Sequence, residues 1–262
     1  MYENNGTVLL DKKGHVATIC LNRPEKLNAM TIEMSLQLES IVKEVNRDHE
    51  IRVVVLKGAG ERAFCTGSDI KQQDRYRTPW EYRVRESDYT RSVRMIRKPV
   101  IVMIHGYALG GGLEMAVMGG DILYATADAK LGAPEVNWGW LGAGGNSQYL
   151  PRTIGPYRAL ELMLTGEFID AAYGEKIGLI NRTFPTYEAM ERHTYQTAEK
   201  IAEKAPLTTQ VIKKAVWMSM NTTLDAGLEY ENELVYVTYT TEDKMEGERA
   251  FKEKRKPVFK GR

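Results

Sequence analysis

Cysteine is nearly absent: the chain of 262 residues holds only Cys20 and Cys65. Two thiols cannot build a disulfide framework, so the sequence predicts a reducing, cytoplasmic setting. Histidine is as scarce. His15, His49, His105 and His193 are scattered without ligand spacing, and no metal site is expected. No apolar run reaches the roughly 18 residues of a membrane span. Neither sign of charge dominates: 36 Lys and Arg stand against 35 Asp and Glu, for a net +1. That balance argues against a nucleic-acid or membrane-surface partner. The opening "MYENNGTVLL" is polar and then strand-like, which predicts neither signal nor transit peptide, and "FKGR" is no peroxisomal address. No Gly/Ser-rich linker or low-complexity tract divides the chain.

What is present suits a globular protein: 43% hydrophobic and 27% charged residues, enough for a sizeable core. The length fits one main domain with an appended element. "TVLLDKKGHVATICLNRP" reads as two strands about a Lys-Lys-Gly turn. "TIEMSLQLESIVKEVNRD" places Ile32, Leu36, Leu38, Ile41, Val42 and Val45 at helical spacing, with Thr31 as N-cap. "IRVVVLKGAG" and "KPVIVMIHGYA" each read as one buried strand. A polar, aromatic-rich helix is expected over residues 80–97. Strands and helices alternate without two-residue hairpins, an α/β pattern with crossovers. From residue 187 to about 254 only helical periodicity remains, broken near Pro206 and Asn221, which predicts three or four helices.

Between a buried strand and a short helix stands "HGYALGGGLEMAVMGGDI". It sets Gly110, Gly111 and Gly112 in a row, with a lone carboxylate, Glu114, close behind. The first N–H groups of a helix lack internal acceptors and sit at the positive end of its dipole. Glycine lets a ligand atom approach them. An anion or a developing oxyanion fits such a turn; tight strand–helix packing alone also explains it. The run lacks the Gly-Lys-Ser/Thr of a P-loop and the GxGxxG spacing of a dinucleotide fold. A second small-residue turn, Thr66, Gly67 and Ser68 in "RAFCTGSDIKQ", again follows a buried strand. Two such turns converging on one carbonyl would supply the donors a thioester enolate needs.

Taken together, "ATICLNRPEKLNAM", "AFCTGSDIK", "KPVIVMIHGYALGGGLEMA", "LGAPEVNWGWLGAGG" and the run from "YLPRTIGPYRAL" to "INRTFP" resemble the crotonase superfamily of enoyl-CoA hydratases and isomerases. The resemblance runs in register over residues 16–185 and more weakly to the end. It implies an α/β spiral core of repeated ββα units over residues 1–186 and a C-terminal helical trimerisation segment over residues 187–262. It also implies an acyl-CoA thioester substrate, no cofactor beyond the coenzyme A that the substrate carries, and a homotrimer or a hexamer built as a dimer of trimers. By position, Ser68 and Gly111 give the two oxyanion N–H groups. Glu114 and Glu135 are the paired catalytic acids, and Gly142 in "GAGG" helps hold the water. Cys65, Thr66, Gly67, Asp69, Ile70, Trp138 and Trp140 fall at substrate-side positions. Phe251 and Lys254, in the basic tail, fall where the CoA phosphates are met.

Adding water to a 2-enoyl thioester needs one group to take a proton from water and another to give one to C2. Glu114, in the first turn of its helix, is expected to be ionised by the dipole. Glu135, after Pro134 and beside Trp138 and Trp140, is expected to be protonated through desolvation in an apolar loop. Structural alternatives stand beside these roles. The glutamates suit buried ion pairs, Asp69 and Asp121 suit cap and turn positions, Cys65 a small buried residue, Gly142 a tight turn, and the tail a solvated face. Two spacings depart from the family. One extra residue falls at Gly119-Gly120, where a glycine C-cap can absorb it. One residue fewer separates Glu135 from Gly142, where a shift bears on the water. A hydratase is the first expectation. A double-bond isomerase needs only one base, and a ring-opening hydrolase shares "AFCTG" and "KRKP". A non-catalytic CoA-binding assembly protein would have lost a glutamate or a glycine turn.

Overall fold

The computed structural model describes residues 7–73, 78, 80–81 and 88–262. Its strands are β1 (Val8–Lys13), β2 (Val16–Leu21), β3 (Val53–Gly58), β4 (Ala63–Cys65), β5 (Val100–Ile104), β6 (Tyr107–Leu109), β7 (Ile122–Thr126), β8 (Lys130–Gly132), β9 (Phe168–Asp170) and β10 (Arg182–Phe184). They divide between a six-stranded sheet, β1-β2-β3-β5-β7-β10, and a four-stranded one, β4-β6-β8-β9. Each long strand β3, β5 and β7 is followed by a three-residue partner that crosses to the smaller sheet. A helical segment follows each pair, so the chain climbs as an α/β spiral of ββα units. Within both sheets β3, β5, β7 and β4, β6, β8 run parallel.

The crossing explains one difference from the sequence reading. "KPVIVMIHGYA" is not one strand but two, β5 and β6, broken at Gly106. That glycine has φ +54°, and a β-carbon on it would overlap the Arg62 carbonyl. Only glycine allows the chain to change sheets there. The first hairpin also differs from expectation: Lys13 pairs with Val16, leaving a two-residue loop of Gly14 and His15.

The large sheet is buried on both faces, which is why its strands read as unbroken apolar runs. On one face Ile19, Leu21, Val54, Leu56, Val102 and Ile104 meet α1 (Ile32–Arg47). Thr31 caps α1 by accepting the Met34 N–H. Met34, Leu38, Val42 and Val45 point inward; Leu36, expected in the core, is 42% exposed. After α2 (Ile70–Gln73) comes α3 (Tyr89–Arg94), with Asp88 accepting the N–H groups of Thr90 and Arg91. The helix expected over residues 80–97 is therefore shorter at its end, and residues 82–87 lie outside the described residues. Helices α4 (Gly111–Gly119), α5 (Asn146–Ile154), α6 (Pro156–Thr165) and α7 (Ala171–Lys176) complete the core side.

Four helices follow residue 187. The first, α8 (Tyr187–Ala202), covers the other face of the large sheet, where Met190, Ala198 and Ala202 meet Val53, Val55, Ile101 and Met103. Then come α9 (Pro206–Ser219), α10 (Leu224–Tyr239) and α11 (Glu242–Lys252). The breaks near Pro206 and Asn221 fall where the sequence places them. A third, at Thr240 and Thr241, has no counterpart in the sequence reading; Thr241 caps α11 by accepting the Lys244 N–H. Asp121 ties α9 to the core. Its carboxylate accepts the Val100 N–H (2.8 Å) and the Trp217 Nε1–H (2.7 Å), and pairs with Lys213 Nζ (2.8 Å). Among the described residues no helix is long and apolar enough to cross a membrane.

Candidate active site

The carboxyl ends of β4, β6 and β8 share one edge of the small sheet. Turns leaving parallel strands at such an edge present their backbone donors to a ligand. Residues 66–69 leave β4, residues 110–112 leave β6 and open α4, and the 3-10 turn Pro134–Trp138 follows β8. They enclose a cavity of about 390 Å³, whose remaining wall comes from the start of α1 with Met30 before it, from residues 88–90 and from residues 140–144.

Each glycine of the triple answers a different demand. Gly110 has φ +53° and ψ −124°, a conformation for glycine alone. A β-carbon on Gly111 would overlap the Tyr89 hydroxyl, and one on Gly112 the Cys65 carbonyl. The first turn and the α4 N-terminus are thus in direct contact: a β-carbon on Gly67 would lie 3.0 Å from the Gly111 nitrogen. Met30 holds the first turn from behind. It donates to the Gly67 carbonyl (2.8 Å) and accepts from the Asp69 N–H (2.9 Å). This parallel bridge uses the groups flanking Ser68 and leaves the Ser68 N–H turned away from Met30. Gly111 is the first residue of α4, so its N–H has no acceptor within the helix.

Two carboxyls face one spot beside these donors. A methyl group on Gly142 would stand 2.5 Å from Glu135 Oε1 and 2.8 Å from Glu114 Oε1. Glu114 is only 3% exposed, and the Asn146 N–H donates to its Oε1 (3.1 Å). Oε1 of Glu135 is buried without a hydrogen-bond partner among the described residues. Burial pushes Glu114 up to about 7; the Glu135 charge adds to this, and the backbone N–H groups of Asn146, Gly144 and Gly145 oppose it. Burial also raises Glu135, against its own backbone N–H.

The helix dipole therefore does not hold Glu114 in the ordinary carboxylate range. A first-turn dipole is worth at most about 1 kcal/mol on an exposed helix. The shift to about 7 corresponds to something on the order of 3 kcal/mol in the other direction. Nor do the tryptophans enclose Glu135, since Trp138 is 66% and Trp140 39% exposed.

Thr66, Gly67, Asp69, Ile70, Trp138 and Trp140 all line the cavity. Asp69 also steadies the turn, pairing with Arg23 (2.8 Å) and accepting the Lys71 N–H (3.1 Å). Cys65 does not line it. The residue is fully buried beneath the turn, its Sγ accepts the Gly67 N–H, and burial pushes the thiol up to about 12. Phe251 and Lys254, on and just past α11, are not among the lining residues either. Gly120 ends α4 with φ −80°, so the extra residue is not absorbed by a left-handed cap. Close packing explains the glycines instead: a β-carbon on Gly119 would overlap Val93, and one on Gly120 would lie 2.6 Å from the Ala116 carbonyl.

Sequence reasoning missed Asn146 and Tyr89. Asn146 contributes a backbone donor, which no side-chain pattern marks. The Tyr89 hydroxyl shares a hydrogen bond of 3.0 Å with Ser68 Oγ, across 21 residues of chain. Asp88 as N-cap makes Tyr89 the first residue of α3, but no local pattern says which way its ring turns.

A family model described as enoyl-CoA hydratase/isomerase matches residues 11–262. A probable mitochondrial enoyl-CoA hydratase of Dictyostelium discoideum is 38% identical, over 97% of this chain and 90% of its own. An (E)-benzylidenesuccinyl-CoA hydratase of Thauera aromatica is 39% identical, over 97% of this chain and 99% of its own. The crystal structure of an enoyl-CoA hydratase from Bacillus anthracis superposes with a TM-score of 0.90 at 34% identity, covering 98% of this chain and all of that one.

Proposed function

This chain belongs to the enoyl-CoA hydratase/isomerase family, and from that premise we propose that it hydrates the 2,3 double bond of a 2-enoyl-CoA thioester. The observation that carries the reading is the aim of Glu114 and Glu135 at one point beside Gly142. A double-bond isomerase needs one base, whereas two acids about one point suit a water molecule.

The thioester oxygen takes the N–H groups of Ser68 and Gly111. A donor of this kind contributes about 3 kcal/mol to the transition state. A water lies between the acids. Burial raises both acids, but the backbone N–H groups of Asn146, Gly144 and Gly145 face Glu114 while Glu135 meets only its own. The better-solvated charge of the one-proton pair is therefore assigned to Glu114 and the proton to Glu135. Glu114 removes a proton from the water as its oxygen bonds to C3, and the π pair moves onto the thioester oxygen. Glu135 then protonates C2 as the enolate collapses. The proton on Glu114 returns to Glu135, and the pair is reset. The reaction balances with substrate and water; coenzyme A enters as part of the substrate.

The acyl group is proposed to be planar or bulky, because Trp138, Trp140 and Leu141 line the cavity with much of their surface open. The exposed apolar side chains Leu224, Leu228, Val235, Tyr236, Val237 and Tyr239 of α10 support a homotrimer, or a hexamer of two trimers. The free thiols of Cys20 and Cys65 support the cytoplasm as the compartment.

The test is loss of the conjugated thioester absorbance when purified protein meets crotonyl-CoA and a panel of branched, cyclic and aryl enoyl-CoAs. Glu135→Gln is expected to abolish the loss while CoA binding persists. No turnover of any member of the panel would remove the hydratase reading.

A further inference from the structure

The cavity holds one hydroxyl pair that the hydration scheme does not use. Tyr89 packs its ring on the main core and brings its hydroxyl to the cavity wall. There it meets both oxyanion turns at once. It shares a 3.0 Å hydrogen bond with Ser68 Oγ, and it lies so close over Gly111 that any β-carbon there would overlap it. The two backbone groups assigned to the thioester oxygen belong to those same two residues.

We propose that Tyr89 is a third hydrogen-bond donor to the thioester oxygen, its hydroxyl oriented by the side chain of Ser68. When Ser68 Oγ–H donates to the Tyr89 oxygen, the phenolic proton is left to point into the cavity. A donor that itself accepts a hydrogen bond is polarised and donates more strongly. Burial holds the phenol well above its ordinary value, against the pull of the Ser68 bond, so the hydroxyl keeps its proton at neutral pH. The arrangement gives the serine at position 68 a use for its side chain, where the backbone role alone asks only for a small residue. Asp88 fixes the geometry, since its cap on α3 sets the position of Tyr89.

The inference rests on the oxyanion turns of the hydratase reading but not on hydration itself. The test uses the full chain, Tyr89→Phe and Ser68→Ala, the latter keeping its backbone N–H. The probe is 4-dimethylaminocinnamoyl-CoA, whose absorbance moves to longer wavelength when its carbonyl is polarised. Tyr89→Phe is expected to shrink that shift and to lower kcat on the order of 10²-fold with KM nearly unchanged. Ser68→Ala is expected to give an intermediate shift, and the double variant to be no worse than Tyr89→Phe. A merely structural tie would leave the shift intact, so a Tyr89→Phe enzyme with full shift and full kcat overturns the proposal. If Tyr89→Phe does not fold, the Ser68→Ala shift decides: reduced supports it, unchanged overturns it. A wild-type protein that shifts the probe yet hydrates nothing sinks the hydratase reading alone, and the loss of shift in Tyr89→Phe still upholds the third donor.

Discussion

Glu114 and Glu135 reach the same point from two separate elements, the first turn of α4 and the 3-10 turn after β8, and the missing side chain of Gly142 keeps that point open. A methyl group there would sit within 2.8 Å of both carboxyl oxygens. Gly142→Ala is therefore expected to displace the water while sparing the thioester turns. The expected loss in kcat is at least about 10²-fold, the scale of a 1 Å misplacement, with binding of a saturated acyl-CoA unchanged by calorimetry. An alanine variant that keeps its kcat would show that nothing essential occupies the gap.

On the proposed mechanism the acid pair sets the pH dependence. The productive form carries one proton, with Glu114 ionised, so kcat/KM is expected to rise as pH climbs through about 7. It falls again when the remaining proton leaves the pair, giving a bell whose limbs belong to both acids jointly. The check is a profile of kcat/KM from pH 5 to 10. A flat acid side would remove Glu114 from the titration.

The same burial costs stability. Glu114 binds its proton more tightly folded than unfolded, so its stabilising contribution is full below about 4.5 and is lost as pH rises through about 7. Glu114→Gln removes a buried charge at high pH and almost nothing at low pH. Its unfolding free energy is expected to exceed wild type at pH 8.5 by something on the order of 3 kcal/mol, and to match it near pH 4.5. Equal stabilities at both ends would mean the carboxylate is better solvated than its burial implies.

Gly111→Ala drives a methyl into the Tyr89 hydroxyl. Overpacking of this kind costs about 1–3 kcal/mol. Removing that hydroxyl in Gly111→Ala/Tyr89→Phe is expected to recover part of the loss in urea unfolding, although activity stays low. A double variant less stable than the sum of its parts would place the clash elsewhere.

Asp121 carries α9 on two bonds, to Trp217 and Lys213, and is itself held to β5 by the Val100 N–H. Burial pulls the Lys213 ammonium below its ordinary value, so losing the carboxylate strands a poorly solvated charge. Asp121→Ala is expected to cost about 3 kcal/mol and to expose α9 to hydrogen exchange ahead of the sheet. An unmoved urea midpoint counts against this anchor.

Much of the site is legible because its parts are local. A strand, a glycine turn and a helix lie within a few residues in "HGYALGGGLEMA", and the backbone demand at Gly110 acts on that residue alone. The same locality located α1, its Thr31 cap and two of the three breaks between the C-terminal helices. Where the reading failed, distance was the cause. The break of "KPVIVMIHGYA" at Gly106 answers to the Arg62 carbonyl. Leu36 is the local exception: residues two apart do not share a helix face, and Met34 takes the inward place.

By itself the sequence determined where the glycine turns and the two glutamates fall along the chain, since spacing along a turn or helix is a covalent fact. The tertiary structure decided how those groups behave. Burial, which depends on every neighbour, lifted Glu114 against its helix dipole. The meeting of Tyr89 with Ser68 and Gly111 required α3 to fold back onto two turns from elsewhere in the chain. Contacts of that kind follow from the packing of whole elements, and no short stretch of residues encodes them.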